Sequence, residues 1–340
     1  MLAICYASSN EYAPYTGVSM LSLLQNNASI ISKIYILSFG INDENIMKIK
    51  QVADLFKCEV QIIDAITEMR ATFERLGMRT FEGSYATYAR AFISEVIKDY
   101  DGKLLYIDSD TVIDGSLGPL LSIDMEKKGY SFGAVLGMNQ YRYPYQEQCI
   151  YKGKKVYYAC GVLLFHLGNW KKNKCNKLIV DYIMNSVDKD FVYADQTVIN
   201  NALPEQYGVP LDLKFNYWGH MYRGRRIIYE LTRKNFYTKT QVKEAMEAPV
   251  IIHYKGHVVH PWLKGNASSL AGRYAFYCDM SPWREQDNKS IYYDEVLKKN
   301  TEQQKKLMDE SKKELMHGPF TTFLIEKKVF VKHLIFRRGK

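Results

Sequence analysis

The sequence predicts an α/β fold in which helices connect the strands of a largely parallel sheet. Through residue 280, short apolar or β-branched runs alternate with segments whose apolar residues recur at helical spacing. The runs do not alternate polar with apolar residues, which is typical of strands buried on both faces. Parallel strands need long crossover connections, and the helical segments between the runs provide them.

Seven runs are candidate strands, and two segments show clear helical spacing. Val18, Leu21 and Leu24 follow Pro14 and predict a helix near the N-terminus. Similarly spaced apolar residues predict a second helix over residues 89–97. The candidate strands span residues 2–7, 33–39, 58–63, 103–107, 132–136, 161–167 and 250–254.

The chain of 340 residues is long enough for one large domain and an appendage. We predict a single domain over residues 1–280 and a helical, basic C-terminal extension over 281–340, because residues 284–316 are highly charged and helix-prone. The last twenty residues hold six basic residues and one glutamate, and so contribute +5 to the net charge of +9. A nucleic-acid-binding protein more often spreads its basic residues through the fold, so no nucleic-acid partner is expected.

Residues 320–340 interleave aromatic and aliphatic residues with six basic ones. Such a segment is suited to lie on an anionic membrane surface, as a peripheral attachment at the inner face of the plasma membrane. A C-terminal helix that packs on the domain and exposes a basic face explains the same pattern. Both hypotheses stay open.

The cysteines and the N-terminus predict a cytoplasmic protein. The six cysteines include no C-x-x-C pair, as expected of reduced thiols. The N-terminus has no basic region followed by a long apolar stretch, so no secretory signal is expected. No apolar run approaches the roughly 20 residues that a membrane-spanning helix needs.

The strongest local signal is Asp108-Ser109-Asp110, a D-x-D motif directly after an apolar run. Strand geometry points residues i and i+2 to the same side, and two neighbouring carboxylates repel each other unless a cation lies between them. The carboxyl end of a parallel strand is also where open α/β sheets bind ligands. A strand-ending turn with solvated aspartates is the structural alternative.

Two distant segments offer partners for these aspartates. His253 ends the apolar run 250–254, although a single histidine there is more often a polar residue satisfied within the protein. Asp195 opens a helical segment, where the helix dipole alone favours an acidic residue.

The order of seven short motifs resembles glycosyltransferase family 8, the retaining enzymes of the glycogenin and lipopolysaccharide-galactosyltransferase type. The resemblance covers nearly all of residues 1–265. Its motifs are Ala7-Ser8-Ser9-Asn10-Glu11-Tyr12-Ala13-Pro14-Tyr15, Thr87-Tyr88-Ala89-Arg90, Leu105-Tyr106-Ile107-Asp108-Ser109-Asp110, Gly161-Val162-Leu163-Leu164, Asp195-Gln196, Phe215-Asn216-Tyr217, and His253-Tyr254-Lys255-Gly256 followed by His260-Pro261-Trp262.

The resemblance implies a single GT-A type domain with a mixed, mainly parallel central sheet, which binds a UDP-sugar with Mn²⁺. It implies that Asp108, Asp110 and His253 are the metal ligands, and a mixed carboxylate and imidazole set suits Mn²⁺ better than Mg²⁺, which is the alternative. The ion would act as a Lewis acid on the departing diphosphate.

The resemblance also implies the catalytic and donor-binding residues. Gln196 would lie near the reaction centre and Asp195 would position the sugar, in a same-face substitution that retains the anomeric configuration. A covalent intermediate on Asp195 is the alternative. The residues implied to bind the donor are Ala7, Ser9, Arg90, Ser109, Gly256 and His260.

Several positions depart from the family pattern. Ser9 and Gly137 replace aspartates, Ala159 replaces an asparagine, and His260 replaces a lysine that meets the diphosphate. The implied metal centre is intact while the sugar contacts are changed, so the donor sugar cannot be transferred from a relative. The implied acceptor is a saccharide or lipid-linked saccharide in bacterial surface-polysaccharide or lipopolysaccharide synthesis.

Two alternative functions use the same residues. Asp108-Ser109-Asp110-Thr111-Val112 also resembles the nucleophile loop of haloacid-dehalogenase-type phosphatases, which usually carry it on the first strand, and no G-D-x-x-x-D follows here. The changed sugar contacts also make a non-catalytic binder of sugar nucleotides or glycans conceivable.

Overall fold

The structure is a computed structural model. It describes residues 1–80, 84–137, 150–151, 154–155, 157–186, 191, 194–218, 232, 237–255, 260–263 and 270–285. The implied donor residue Gly256 and the basic tail 320–340 lie outside these ranges.

Eleven strands form among the described residues, and all seven predicted strands are confirmed within them. The strands are β1 (Leu2–Ser9), β2 (Ile31–Phe39), β3 (Val60–Asp64), β4 (Lys103–Ile107), β5 (Thr111–Ile113), β6 (Phe132–Leu136), β7 (Ile150–Tyr151), β8 (Lys154–Lys155), β9 (Tyr158–His166), β10 (Gly208–Leu211) and β11 (Ile251–His253). Sequence reasoning missed β10, which contains Pro210 and lies at a sheet edge, where a missing backbone donor is tolerated.

Helices connect the strands, and the described ones are mostly short. The α-helices are α1 (Ala13–Asn27), α2 (Asp43–Leu55), α3 (Ala65–Arg75), α4 (Ile93–Val96), α5 (Gly118–Leu121), α6 (Met125–Lys128), α7 (Leu167–Lys172), α8 (Cys175–Asn185), α9 (Ala194–Ala202), α10 (Lys239–Glu247) and α11 (Ala271–Asp279). Four 3-10 helices span Ala28–Ile30, Ala86–Phe92, Glu205–Tyr207 and Leu213–Asn216. The helix predicted over 89–97 is therefore only partly right, since its first half is a 3-10 helix and α4 is a single turn.

The central sheet has seven strands in the order β10-β6-β9-β4-β1-β2-β3. Strand β9 is antiparallel to both of its neighbours, and the other pairs are parallel. The predicted mixed, mainly parallel sheet is thus confirmed. The strands flanking the centre are buried almost throughout, as their unbroken apolar sequences indicated.

Strand β5 leaves this sheet and pairs with β11 in a separate two-stranded ladder. The pairing is antiparallel and sets His253 opposite Thr111, while the Tyr254 N–H donates to the Asp110 carbonyl at 2.9 Å. This ladder is the physical link between two segments more than 100 residues apart in sequence, because it fixes His253 beside the turn that carries Asp108 and Asp110.

Helix α1 supports the same turn with hydroxyl groups on its buried face. Thr16 Oγ1 donates to Ser109 Oγ at 2.7 Å, and Ser19 Oγ lies 2.8 Å from Thr111 Oγ1. One turn further on, Ser22 Oγ accepts the Ile113 N–H at 2.9 Å. Hydroxyls spaced three residues apart share one helix face, so α1 satisfies the polar groups of β5 and its preceding turn.

Core packing continues to residues 281–285, just past the predicted domain boundary at 280. Trp283 is 1% exposed, and its Nε1–H donates to Asn45 Oδ1 at 2.8 Å. A Cβ on Gly17 would lie 2.0 Å from the Trp283 ring, so the close approach of this indole to α1 requires glycine. The extension beyond residue 285 remains a prediction. Among the described residues, no helix has both the length and the apolar character needed to cross a bilayer.

Candidate metal centre and donor site

Asp108, Asp110 and His253 come together at the carboxyl end of β4. Each offers one ligand atom, and these atoms lie within 4.8 Å of one another. His253 Nε2 is 3.1 Å from Asp110 Oδ1 and 3.8 Å from Asp108 Oδ2. The three residues predicted as metal ligands therefore converge, with the imidazole buried and the carboxylates half-buried.

The environment of His253 orients its Nε2 atom for metal binding. Asn216 Oδ1 accepts the Trp218 Nε1–H at 2.8 Å and lies 2.9 Å from His253 Nδ1. Because an amide oxygen only accepts hydrogen bonds, we assign a proton to His253 Nδ1, which donates to Asn216 Oδ1. The other ring nitrogen, Nε2, faces the two carboxylates and is the atom that would bind a metal ion.

A glycine on the neighbouring strand makes room for this cluster. A Cβ on Gly161 in β9 would lie 2.2 Å from His253 Cε1 and 2.7 Å from Asp108 Oδ2. Real Cβ atoms do not approach other atoms so closely, so the backbone of β9 reaches the ligands only because residue 161 has no side chain.

The donor set fits a divalent cation. Two carboxylates and one neutral imidazole are ligands suited to Mn²⁺ and related ions. Although burial alone would raise the pKa of Asp110, His253 and His260 hold this pKa well below its usual range. Asp110 is therefore ionised at neutral pH, as a carboxylate that binds a divalent cation must be.

Arg90 connects the metal ligands to the opposite wall of the site. Its guanidinium forms a bidentate pair with Asp108, with N–O distances of 2.7 and 3.2 Å, and donates to the Cys160 carbonyl at 2.6 Å. Its Nε is also 3.1 Å from Asp195 Oδ2. Burial would lower the pKa of Arg90, but the charges of Asp108 and Asp195 raise it well above the ordinary value. Arg90 was predicted to bind the sugar donor. In the structure its N–H groups contact acceptor atoms of the protein, and the guanidinium fixes the orientation of Asp108.

Asp195 lies at the start of α9 and is almost completely buried. Its Oδ2 atom is close to Arg90 but accepts no hydrogen bond from any described residue. Burial, opposed by Arg90, raises the pKa of Asp195 to about 7. The preceding residue, Ala194, has a φ of +46°, a left-handed conformation that costs a non-glycine residue about 1–2 kcal/mol. Backbone strain of this kind is frequent beside functional residues.

Gln196 is tied to the central sheet. The Cys160 N–H donates to Gln196 Oε1 at 3.0 Å, and one helical turn later Asn200 donates to the Tyr158 carbonyl and accepts from the Tyr158 N–H. Helix α9 is thereby fastened along β9. The two side chains of the family pair thus have different neighbours. The Asp195 carboxyl group lies next to Arg90, and the Gln196 amide contacts the backbone of β9.

Among the described residues, Ala7, Ser109 and His260, which were also predicted to bind the donor, lie in or next to the turn that carries Asp108 and Asp110. Ala7 and Ser9 are in the C-terminal part of β1, and the Ala7 carbonyl accepts from Ser109 Oγ at 3.5 Å. The Ser109 hydroxyl also contacts Thr16 and is buried, so it supports the turn. His260 Nε2 is 3.6 Å from Asp110 Oδ2, and its ring stacks on Trp262 at 4.6 Å.

Sequence reasoning missed three residues beside the ligands: Asn216, Trp218 and Lys255. Asn216 and Lys255 belong to recognised motifs, but the contact of Asn216 with His253 depends on the fold. Lys255 Nζ lies 4.8 Å from the centre of the Trp218 ring. The sequence pattern that could have identified Lys255 is a charged residue two positions after a candidate metal ligand, just past the end of an apolar strand.

Comparisons with known proteins identify the family of the chain. The family model described as "Glycosyl transferase family 8" matches residues 3–265. A protein of Haemophilus influenzae is 29% identical over 210 residues, which are 58% of this chain and only 58% of that protein. The lipopolysaccharide 1,2-glucosyltransferase of Escherichia coli strain K12 is 26% identical over 298 residues, 85% of this chain and 82% of the relative.

A solved structure shows the same fold. The crystal structure of the galactosyltransferase LgtC with donor and acceptor sugar analogues superposes with a TM-score of 0.65 at 23% identity. The match covers 83% of this chain and 99% of the other. The predicted GT-A type architecture is thereby confirmed.

Proposed function

Because the chain belongs to glycosyltransferase family 8, we propose that it is a retaining hexosyltransferase that uses a UDP-sugar and Mn²⁺, with Mg²⁺ as the alternative ion. The observation that carries this proposal is the convergence of Asp108, Asp110 and His253, with Nε2 of His253 directed at both carboxylates. The family match spans the residues on which the phosphatase alternative rested, so that alternative loses its basis.

In this proposal Asp108, Asp110 and His253 hold the metal ion, and Asn216 and Arg90 orient two of these ligands. The bound ion would supply Lewis-acid stabilisation of the departing diphosphate. No protein general acid is then needed for the leaving group. The C–O bond of the donor breaks with its electron pair on the β-phosphate oxygen, and the acceptor hydroxyl bonds to the anomeric carbon and passes its proton to that phosphate.

We assign Gln196 to the vicinity of the anomeric carbon and Asp195 to the sugar hydroxyls. The buried Asp195 Oδ2, which accepts no hydrogen bond from the described residues, supports this role because a sugar hydroxyl would satisfy it. A covalent intermediate on Asp195 is the alternative mechanism.

For the acceptor we propose a saccharide or lipid-linked saccharide of bacterial surface-polysaccharide or lipopolysaccharide synthesis, on the cytoplasmic side of the membrane. The E. coli lipopolysaccharide glucosyltransferase among the relatives supports this class. Membrane attachment through residues 320–340 remains a hypothesis. A variant that lacks this segment should bind anionic liposomes less than the full chain, and equal binding would contradict the hypothesis.

The test of the proposed function is the release of UDP from a panel of UDP-sugars, measured with and without Mn²⁺. Asp108→Asn should lower metal-dependent UDP release by roughly 100-fold or more, because it removes a ligand charge from the metal centre. Asp181→Asn is the matched control, since Asp181 is a half-exposed aspartate of α8 whose one ion pair among the described residues is with Lys177. Binding of UDP-sugars without release of UDP would favour the non-catalytic binder instead.

A further inference from the structure

Lys255 follows strand β11 and carries its positive charge to the edge of the metal centre. Its Nζ atom lies 4.8 Å from the centre of the Trp218 ring, and the side chain is half-buried. Trp218 itself is 6% exposed and is held by its hydrogen bond to Asn216, the residue that orients His253. The Lys255 amine is therefore positioned by the same group of residues that positions a metal ligand.

Within the described residues, the Lys255 amine has no carboxylate at ion-pair distance and no hydrogen-bond acceptor. A half-buried ammonium group that pairs with no described carboxylate has its three donors available for another anion.

Two neighbouring side chains of the described site, those of Arg90 and His260, are already engaged. Arg90 spends its guanidinium on Asp108, Asp195 and the Cys160 carbonyl, and His260 contacts Asp110. When a divalent ion is bound, its two charges and that of Arg90 balance the three carboxylates of Asp108, Asp110 and Asp195. Lys255 then adds positive charge that the described acidic residues do not compensate, next to a metal ion that binds phosphate oxygens.

We propose that Lys255 binds the diphosphate of the donor and stabilises the charge that develops on the departing nucleotide. An ammonium group is a compact point charge with three donors, which suits phosphate oxygens of varying geometry. The inference rests on the proposed function for its ligand, and it gives a role to a lysine for which the sequence analysis named none.

The experiment compares the binding of UDP and of uridine at saturating Mn²⁺ in the full chain and in Lys255→Met. We expect the substitution to weaken UDP binding roughly 10- to 100-fold and to leave uridine binding unchanged, because only UDP offers phosphate oxygens. Lys255→Arg should retain part of the UDP affinity. Lys214→Met is the matched control, since Lys214 also lies over an aromatic ring, that of Phe215, at 5.7 Å.

Binding of Mn²⁺ alone, followed by electron paramagnetic resonance, separates this role from simple charge compensation. If Lys255 only offsets the carboxylates, Lys255→Met should tighten Mn²⁺ binding and leave UDP affinity unchanged, and the proposal is then overturned. Inorganic pyrophosphate separates the proposal from the proposed function. Lys255-dependent binding of pyrophosphate by a protein that does not bind UDP supports the role of Lys255 and contradicts the UDP-sugar donor, and binding of neither ligand contradicts both.

Discussion

The site has a metal side, with Asp108, Asp110 and His253, and a sugar side, with Asp195 and Gln196. The pKa values of Asp110 and Asp195 are shifted in opposite directions on these two sides. On the metal side, His253 and His260 hold the pKa of Asp110 well below its usual range. On the sugar side, burial raises the pKa of Asp195 to about 7, and Arg90 only partly opposes it. The first group is kept charged, as a metal ligand must be, whereas the second is left with an oxygen that accepts no hydrogen bond from the described residues.

The two sides also differ in how closely they follow the family pattern. The metal side retains Asp108, Asp110 and His253, and neighbouring elements fix each of them through hydrogen bonds or ion pairs. The sugar side has Ala159 in place of an asparagine and Gly137 in place of an aspartate. Under the proposed function, the three metal ligands and the residues that read the sugar are separate sets, and only the ligand set keeps the family pattern throughout.

The largest effect is expected from Gly161→Ala, which should displace two of the metal ligands and leave the sugar side unchanged. The new Cβ would lie 2.2 Å from His253 Cε1 and 2.7 Å from Asp108 Oδ2, so both ligands would have to move. We expect Mn²⁺ affinity, measured by electron paramagnetic resonance, to fall more than about 100-fold. Gly133→Ala is the control in the adjacent strand, because its Cβ would meet only the Leu211 and Val209 side chains. Normal Mn²⁺ binding by Gly161→Ala would show that the metal is not held by His253 and Asp108.

A smaller effect is expected from Asn216→Ala, which leaves all three ligands in place. It removes the acceptor for His253 Nδ1–H, so the imidazole loses its fixed orientation. Loss of such a supporting contact typically lowers metal affinity by roughly 10- to 100-fold. Asn216→Asp keeps an acceptor oxygen and should retain most of the affinity. The control is Asn201→Ala, whose amide bonds Tyr182 instead; equal metal affinities in Asn201→Ala and Asn216→Ala would remove Asn216 from the site.

Most of the fold could be predicted from the sequence because local patterns determine it. Buried parallel strands produce long apolar runs, and each predicted strand lies at such a run. Strand β10 escaped prediction because Pro210 and Gly208 disfavour strands unless the strand lies at an edge, and edge positions are set by tertiary structure. The 3-10 geometry of Ala86–Phe92 escaped for a related reason, since its apolar spacing also fits an α-helix.

The sequence alone predicted site residues only where the functional groups lie within a few positions of one another in a motif. Asp108 and Asp110 are marked by their own spacing, whereas His253 became a candidate ligand through the resemblance to family 8. Its approach to the aspartates depends on the pairing of β5 with β11, a contact that no local pattern encodes. Asn216 and Lys255 act through neighbours distant in sequence, so their contributions become visible only when the strands are assembled.

The smallest expected effect concerns stability rather than binding. It tests whether the pKa values of Asp195 and Asp110 are shifted in opposite directions. Asp195 has a pKa of about 7 in the folded protein against an ordinary value of 3.8. Between these values the folded protein keeps a proton that the unfolded chain loses, so Asp195 makes stability fall as the pH rises from about 4 to 7. Asp110, with its lowered pKa, works in the other direction and stabilises the fold above its ordinary pKa.

Melting temperatures of the metal-free protein at pH 5 and pH 7.5 measure both contributions. Asp195→Asn removes a group whose charge burial disfavours, so this variant should lose less stability than the wild type over that range, by roughly 2 to 6 °C. Asp110→Asn should lower the melting temperature at both pH values, since it removes a carboxylate that is charged and stabilising throughout the range. Parallel pH profiles for the wild type and Asp195→Asn would mean that Asp195 is ionised in the fold, and the difference between the two sides of the site would then lie in their contacts alone.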